Sequence, residues 1–334
     1  MAVKSLDELR DLTRRVLAKA NTSEANADAV AEALTAAEAD GMPSHGMSRL
    51  VAYAGQAASG KVDGMAVPVM HRPRAGVVAV DARSGFAYPA MNLGLETAID
   101  AVKETGVVAV GIGNSHHSGV AGHPVEKMAR AGLIAISFGN GPAGLAPWNG
   151  NRALYGTNPI AFACPVEGAE PVVVDLSLSK VARGKVKLAA DRGEPIPEGW
   201  GVDADGKPTT DAAAAMAGWM VPMGDAKGAA LAMVVELMAA GLTGSRFGFE
   251  ASSFFTTEGA PPNVGQFFIV FDPEAFGGAV VSERIATLMG AIDEQPDTRL
   301  PGRRRFELRA KAQAEGVEVN DDLLAKLDSL AGGA

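Results

Sequence analysis

The chain has 334 residues, 47% of them hydrophobic and 21% charged, enough to bury a sizeable core in one large or two ordinary domains. Its formal charge of −9 argues against a duplex-binding surface, which shows as a basic excess. One cysteine, Cys164, excludes an internal disulfide framework and fits a reducing compartment.

The first residues, MAVKSLDELRDL, lack the apolar run of a secretion signal, so a cytoplasmic location is expected. Ser5 and Glu8 have capping-box spacing ahead of Leu6, Leu9, Leu12, Val16 and Leu17, which predicts an amphipathic helix ending near Ala20. Asn21, Thr22 and Ser23 offer the next N-cap, and a second helix over 24–40 stops at Gly41. Pro43 suits the first turn of a third helix that carries Ser44, His45 and Arg49. From residue 67 the pattern changes. Residues 77–81 and 107–111 read as short buried strands with a helix over 95–104 between them, and 133–138 and 171–176 as further strands. Residues 141–159, rich in Gly, Pro and Asn, predict a long ordered loop, a kind that is usually functional. Residues 191–211 read as turns, and a strong helix follows from about Asp225 to Gly241. Its apolar stretch from Gly228 to Leu242 is interrupted by Glu236 and too short to span a bilayer, so it reads as a buried helix and no membrane partner is expected. A strand at 267–271 and helices near 279–293 and 319–331 close an α/β chain with a mixed sheet.

Several side-chain groups suggest chemistry. On a helix, His45 and Arg49 share a face, offering a proton donor beside a guanidinium that grips a carboxylate in bidentate fashion. The same residues also make an ordinary capped helix turn with a surface arginine. Gly111 and Gly113 follow a strand, but His116 stands where a dinucleotide fingerprint needs its third glycine, so a strand-to-turn glycine cluster explains them as well. His116 and His117 are adjacent and point different ways on any regular element. Four of the five histidines, His45, His116, His117 and His123, leave a metal-dependent hydrolase or lyase as an alternative, without a recognised zinc spacing. Asp175 ends a strand, where a carboxylate can bind a ribose or orient a histidine, or simply cap a helix. Lys227 opens the apolar helix, a place for pyrophosphate or carboxylate or for a solvated lysine. The basic run Arg299, Arg303, Arg304, Arg305, Arg309 and Lys311 is either a solvated face or a receiver for a 2′-phosphate.

In this order the motifs resemble one family. Ser-His-Gly-x-x-Arg at 44–49, Asn-Ser-x-His-x-Gly at 114–119, Gly-Thr-Asn-Pro-Ile-Ala at 156–161, Asp-x-x-x-Ser-x-Val-Ala-Arg-Gly-Lys at 175–185, Lys-Gly at 227–228 and Leu-Pro-Gly at 300–302 are similar to the type 2 malate/L-lactate dehydrogenases, which are NAD(P)-dependent. The resemblance implies a non-Rossmann α/β fold, an N-terminal helical segment and a homodimer. It implies that 1–70 packs with 245–334 as a substrate and dimerisation domain, and that 71–244 binds the dinucleotide. It gives His45, and in some members His117, the acid–base role and places Arg49 at the substrate carboxylate; on this reading Ser44 and Ser48 are expected beside the substrate, and Asp175 or His117 is expected to tune His45. It implies that Asn140, Thr157, Asp175, Leu176, Ser177, Lys227, Gly302 and Arg303 meet the cofactor. Members often carry Glu where this chain has Arg303, which tilts the expectation from NAD to NADP. The implied substrate is a small 2-oxo, 2-hydroxy or cyclic 2-imino carboxylic acid. Residues 62–68, 115–117 and 236–244 look most like the Δ1-piperideine-2-carboxylate/Δ1-pyrroline-2-carboxylate reductases, with malate-, lactate- or sulfolactate-type dehydrogenases as the alternative.

Overall fold

The computed structural model describes residues 1–333. The chain opens with β1 (Ala2–Lys4), α1 (Leu6–Lys19), α2 (Glu24–Ala39) and α3 (Leu50–Ala58). The capping box forms as the sequence predicts: Glu8 N donates to Ser5 Oγ at 3.2 Å and Ser5 N to Glu8 Oε2 at 2.8 Å. Leu9, Leu12, Val16 and Leu17 then form the buried stripe of α1.

The third helix differs from expectation. Pro43–His45 and Met47–Arg49 are separate 3-10 turns, and α3 starts only at Leu50. Gly46 breaks the run at φ −99° and ψ −134° because the buried Glu38 carboxylate sits against it. Met47 N donates to Glu38 Oε1 at 2.7 Å, and a Cβ on Gly46 would lie 2.5 Å from that oxygen. His45 and Arg49 are therefore brought together by a buttressed turn, not by helical periodicity.

The central layer follows: β2 (Val69–Arg74), β3 (Val77–Asp81), α4 (Ala87–Thr105), β4 (Val107–Ser115), α5 (Gly122–Arg130), β5 (Ile134–Gly139), β6 (Ile160–Cys164) and β7 (Val172–Leu176). A peripheral part comprises α6 (Arg183–Arg192), β8 (Gly201–Val202), β9 (Pro208–Thr209), α7 (Ala212–Ala217), β10 (Trp219–Met220) and α8 (Ala226–Glu236), which runs into a π-helical turn, Leu237–Gly241. The chain then returns through β11 (Val264–Phe271) and ends with α9 (Glu274–Gly277), α10 (Val280–Asp293), α11 (Arg303–Glu315), β12 (Val317–Val319) and α12 (Asp321–Leu330).

The large sheet has the order β2-β3-β4-β11-β5-β6-β7 and is mixed: β3 and β4 are parallel, the other neighbours antiparallel. Val108, Val110 and Ile112 of β4 are fully buried. Gly94 lets α4 pack against them, since a Cβ there would lie 2.8 Å from Val110 Cγ1. The glycines of the failed fingerprint lie inside β4, not in a turn after it. Gly113 serves close approach, because a Cβ would stand 2.9 Å from the Thr243 carbonyl.

Two hydrophobic cores form. One joins α1–α4, the large sheet and α12; the other gathers Leu145, Leu178, Val186, Ile196, Ala215, Met220 and Val235 around the small sheet β10-β8-β9. At the termini α1 packs on α12, α2 on α11, and β1 pairs with β12. The expected boundary at residue 244 does not follow this packing, because β11 lies between β4 and β5 in the middle of the sheet. Nor is α8 buried all round: Leu231, Met233 and Val234, with Leu237 beyond it, are exposed. Among the described residues no helix is long and apolar enough to cross a membrane.

Candidate active site

A cavity of about 860 Å³ opens where the 3-10 turns, the ends of β4, β5 and β7, the start of α6 and the start of α11 converge. Ser44, His45, Arg49 and His117 line it, as do Asn140, Thr157, Asp175, Leu176, Ser177 and Gly302. Three expected residues do not. Ser48 instead donates its hydroxyl to the Pro43 carbonyl at 2.5 Å. Lys227 stands exposed in the first turn of α8. Arg303 points outward and pairs with Asp293 at 2.7 Å, while Arg304 and Arg305 line the cavity.

One wall holds two stacked imidazoles. The rings of His45 and His117 have centroids 5.8 Å apart and planes 23° from parallel. His45 Nδ1 is 3.0 Å from Ser44 Oγ, and His117 Nδ1 is 2.6 Å from the Tyr53 hydroxyl. Burial first, then the Arg49 charge, lowers His45 to about 4. The same causes, with His45 and His116 added, hold His117 well below the usual imidazole range. Both rings are therefore neutral at pH 7. His116 points away, as adjacency requires, into packing with Tyr53, Phe86 and Phe254, and bonds Gln56 Oε1 at 2.7 Å.

Arg49 is fixed on two sides. Its Nε donates to the Ser44 carbonyl at 2.8 Å, and its guanidinium lies over Phe255, 4.7 Å from the ring centroid. Its Nη1 is buried with no partner among the described residues, a donor that calls for an anion.

The Asp175 wall is built by ion pairing. Asp175 accepts from Gly122 N at 2.8 Å, at the start of α5, and burial raises its carboxyl in spite of that bond. It lies 3.8 Å from Arg305 Nη1. Among the described residues it bonds neither His45 nor His117, so the geometry gives it no part in tuning His45. Behind it, Arg309 clamps Asp40 at 2.7 and 2.9 Å and Glu126 at 2.5 and 2.9 Å, and His123 Nε2 meets Asp40 at 2.9 Å. Arg305 is only 3.9 Å from Asp40, yet both its Nη atoms are buried without a hydrogen-bond partner.

Sequence reading passed over two more residues. Glu236 seemed only to interrupt an apolar helix. Its carboxylate accepts from Gly156 N at 2.9 Å, Asn158 Nδ2 at 3.0 Å, Asn140 Nδ2 at 3.0 Å and Gly248 N at 3.1 Å. It thereby ties three cavity-lining segments together, and it occupies the Asn140 amide, whose Oδ1 also accepts from Gly265 N at 2.8 Å. The signal was there: a lone carboxylate in an apolar run is rarely buried unless it is satisfied. Arg183, at the start of α6, also lines the cavity and donates from Nη1 to the Ala143 carbonyl at 2.7 Å. The adjoining Gly184 lies against Ser44, since a Cβ there would be 3.5 Å from Ser44 Cβ.

These features suit a polyanionic dinucleotide. The cavity is of ligand size, the Nη atoms of Arg305 have no hydrogen-bond partner among the described residues and can donate to acidic oxygens, and the lining backbone from Gly119 to Ala121 leads into the N-terminus of α5. Among the described residues no three His, Cys, Asp or Glu side chains group to hold a metal ion.

The sequence profile of malate/L-lactate dehydrogenase matches residues 4–328. The chain belongs to this family of oxidoreductases. It is 52% identical over 327 residues to the (2R)-3-sulfolactate dehydrogenase (NADP(+)) of Chromohalobacter salexigens, covering 98% of this chain and 97% of that one. It is 41% identical over 329 residues to the Δ(1)-pyrroline-2-carboxylate/Δ(1)-piperideine-2-carboxylate reductase of Pseudomonas syringae pv. tomato, covering 98% and 96%. The crystal structure of a Δ1-piperideine-2-carboxylate reductase from Pseudomonas syringae superimposes with a TM-score of 0.93 at 40% identity, covering 99% of this chain and 100% of that one. Sulfolactate dehydrogenase from Methanocaldococcus jannaschii gives 0.90 at 27% identity, covering 99% and 97%.

Proposed function

We propose that this protein is an NADP(H)-dependent oxidoreductase. It interconverts a small 2-oxo or cyclic 2-imino carboxylic acid with the corresponding 2-hydroxy or cyclic amino acid. The observation that carries this reading is the pairing, in one cavity, of the His45 imidazole with a fixed Arg49 guanidinium whose Nη1 lacks a partner. Arg49 receives the substrate carboxylate, and Phe255 and the Ser44 carbonyl hold its plane so that little freedom is lost on binding. The bound nicotinamide supplies or accepts the hydride. His45 handles the proton at the substrate oxygen or nitrogen: neutral, it takes the proton during oxidation, and it returns it during reduction. A bound carboxylate offsets the Arg49 charge that holds the His45 pKa down, so binding raises the proton affinity of the ring when reduction needs it.

Arg304, Arg305 and the backbone leading into α5 hold the cofactor's acidic oxygens, with Asp175, Leu176, Ser177, Thr157 and Gly302 around it. NADP is favoured over NAD by these arginines and by the named specificity of the 52%-identical relative.

Within this class, one observation favours a second acid group on the substrate. Arg183 adds a guanidinium to the cavity and its neighbour Gly184 abuts Ser44, which suits a sulfonate or a further carboxylate better than a cyclic imine. An assay following nicotinamide absorbance tests the set: NADPH and NADH against sulfopyruvate, oxaloacetate, pyruvate and the two cyclic imines. NADPH-dependent reduction of sulfopyruvate or oxaloacetate supports the dianion reading, and preference for the imines reverses it. No turnover of any of these acids defeats the whole proposal.

A homodimer completes the picture. The exposed Leu231 and Val234 on α8 with Leu237 just beyond it, and α10 with no buried residue of its own, are faces for a second copy, which light scattering on the purified chain tests. The lone, buried Cys164 suits a reducing cytoplasm.

A further inference from the structure

The two stacked imidazoles are not equivalent, and a tyrosine pair behind one of them says why. Tyr53 on α3 is fully buried, and its hydroxyl lies 2.6 Å from His117 Nδ1 and 3.1 Å from the hydroxyl of Tyr88 on α4. Tyr88 is buried too, and among the described residues its hydroxyl has Tyr53 as its one hydrogen-bond partner. A buried hydroxyl proton without an acceptor carries the full cost of its desolvation. The Tyr88 proton therefore goes to the Tyr53 oxygen. The Tyr53 proton goes in turn to His117 Nδ1, since the other acceptor in reach, the His117 carbonyl, is 3.5 Å away.

With Nδ1 an acceptor, a neutral His117 carries its proton on Nε2. To become imidazolium it would need an acceptor for a proton on Nδ1, and the two tyrosines would have to reverse their protons and leave that of Tyr88 unpaired. The groups that face His117 from the other elements add no acid: Arg49, His45, His116 and the Phe254 ring. His45 has the opposite surroundings. Its Nδ1 meets the Ser44 hydroxyl, which lies at the cavity surface and rotates to donate or accept as the ring changes state.

We infer that the Tyr88–Tyr53 pair fixes His117 as a neutral imidazole protonated on Nε2, a permanent hydrogen-bond donor to the reacting oxygen or nitrogen of the substrate, so that His45 alone of the pair exchanges a proton. Tyr53 and Tyr88 are positioning residues in this scheme. The inference rests on the proposed oxidoreductase reading for the substrate contact, but the tautomer itself does not.

The test has two independent arms. In the full chain labelled with 15N-histidine, long-range nitrogen–proton correlations report each ring, with His117 assigned by its loss in His117→Gln. The expected pattern in the unsubstituted chain is the Nε2–H tautomer, unchanged from pH 5 to pH 9, whereas Tyr88→Phe, in which Tyr53 can reverse its proton without stranding another, should admit the Nδ1–H form. A proton on Nδ1 or a His117 titration within that range in the unsubstituted chain, or a tautomer unmoved in Tyr88→Phe, overturns the inference. No substrate is needed, so failure of the proposed function leaves this arm readable. In the kinetic arm, His117→Gln keeps an amide N–H near the Nε2 position but cannot ionise. It is expected to retain the wild-type pH profile and to be about 10- to 100-fold more active than His117→Ala, as for a hydrogen bond to a charged or charging group. Equal loss in both variants, or loss of a pH limb in the glutamine variant alone, overturns the donor role.

Discussion

The two walls of the cavity use the same kinds of side chain to opposite ends. On the Asp175 wall, Asp40, Glu126, Arg309 and His123 are paired with one another, and the pairing holds a further cation, Arg305, in a fixed place. On the imidazole wall neither His45 nor His117 has a carboxylate partner among the described residues. His45 and His117 are kept neutral by burial and by Arg49, and Arg49 is steadied by an aromatic face and a carbonyl. Ion pairing fixes charge where a constant charge is useful; desolvation without pairing leaves groups ready to change state or to take an anion.

The sharpest way to break this contrast is His45→Ala. It should lower kcat by ~10²–10⁴-fold, the range for general acid–base catalysis, while the NADPH Kd from fluorescence titration stays nearly constant. An unchanged kcat would move the chemistry off the imidazole wall.

Arg49→Lys keeps the charge but loses the planar fork and the stacking on Phe255. KM for the acid substrate should rise by about 10- to 100-fold, with a smaller fall in kcat. Steady-state kinetics across the acid panel checks this, and an unaltered KM for every member would remove Arg49 as the anchor.

Glu236→Gln sharpens the comparison from outside either wall. It turns an amide towards N–H groups that now donate to the carboxylate, and should cost about 1–3 kcal/mol of stability. Urea unfolding should show the midpoint falling with little change in slope.

Arg305→Gln tests the ionic wall directly. It should weaken NADPH by roughly 10-fold, one charged hydrogen bond, and leave KM for the acid nearly unchanged. Equal tightness for NADPH in the variant would make Arg305 a structural ion only.

The smallest effect at working pH concerns protonation. His45 is lowered to about 4, so it is already the neutral base at pH 7. In the oxidation direction kcat/KM, which reports the free enzyme, should lose no activity to His45 protonation down to about pH 5 and then fall as pH drops through about 4. A limb near 6.5 would mean that His45 is not desolvated.

Much of this was legible in residue order. The capping box at Ser5, the apolar stripe of α1 and the strands at 77–81 and 171–176 follow from local periodicity, and the ordered motifs pointed to the family. The third helix was misread because the signal that breaks it, Glu38 under Gly46, lies in another element. The family resemblance points to Arg303, where members often carry Glu, but a run of arginines carries no phase until the start of its helix is known; Gly302, at φ 93°, sets that start, and Arg304 and Arg305 line the cavity.

Sequence alone therefore determined several of the elements, the family and the chemical types present: imidazole, guanidinium, carboxylate and a small-residue scaffold. Only the tertiary structure decided which of them meet, that β11 closes the middle of the sheet, and that two neighbouring imidazoles have different partners. The physical reason is range. Periodicity and capping act within a few residues, whereas desolvation and hydrogen-bond satisfaction depend on groups such as Tyr53 and His117, which are 64 positions apart in the chain and 2.6 Å apart in space.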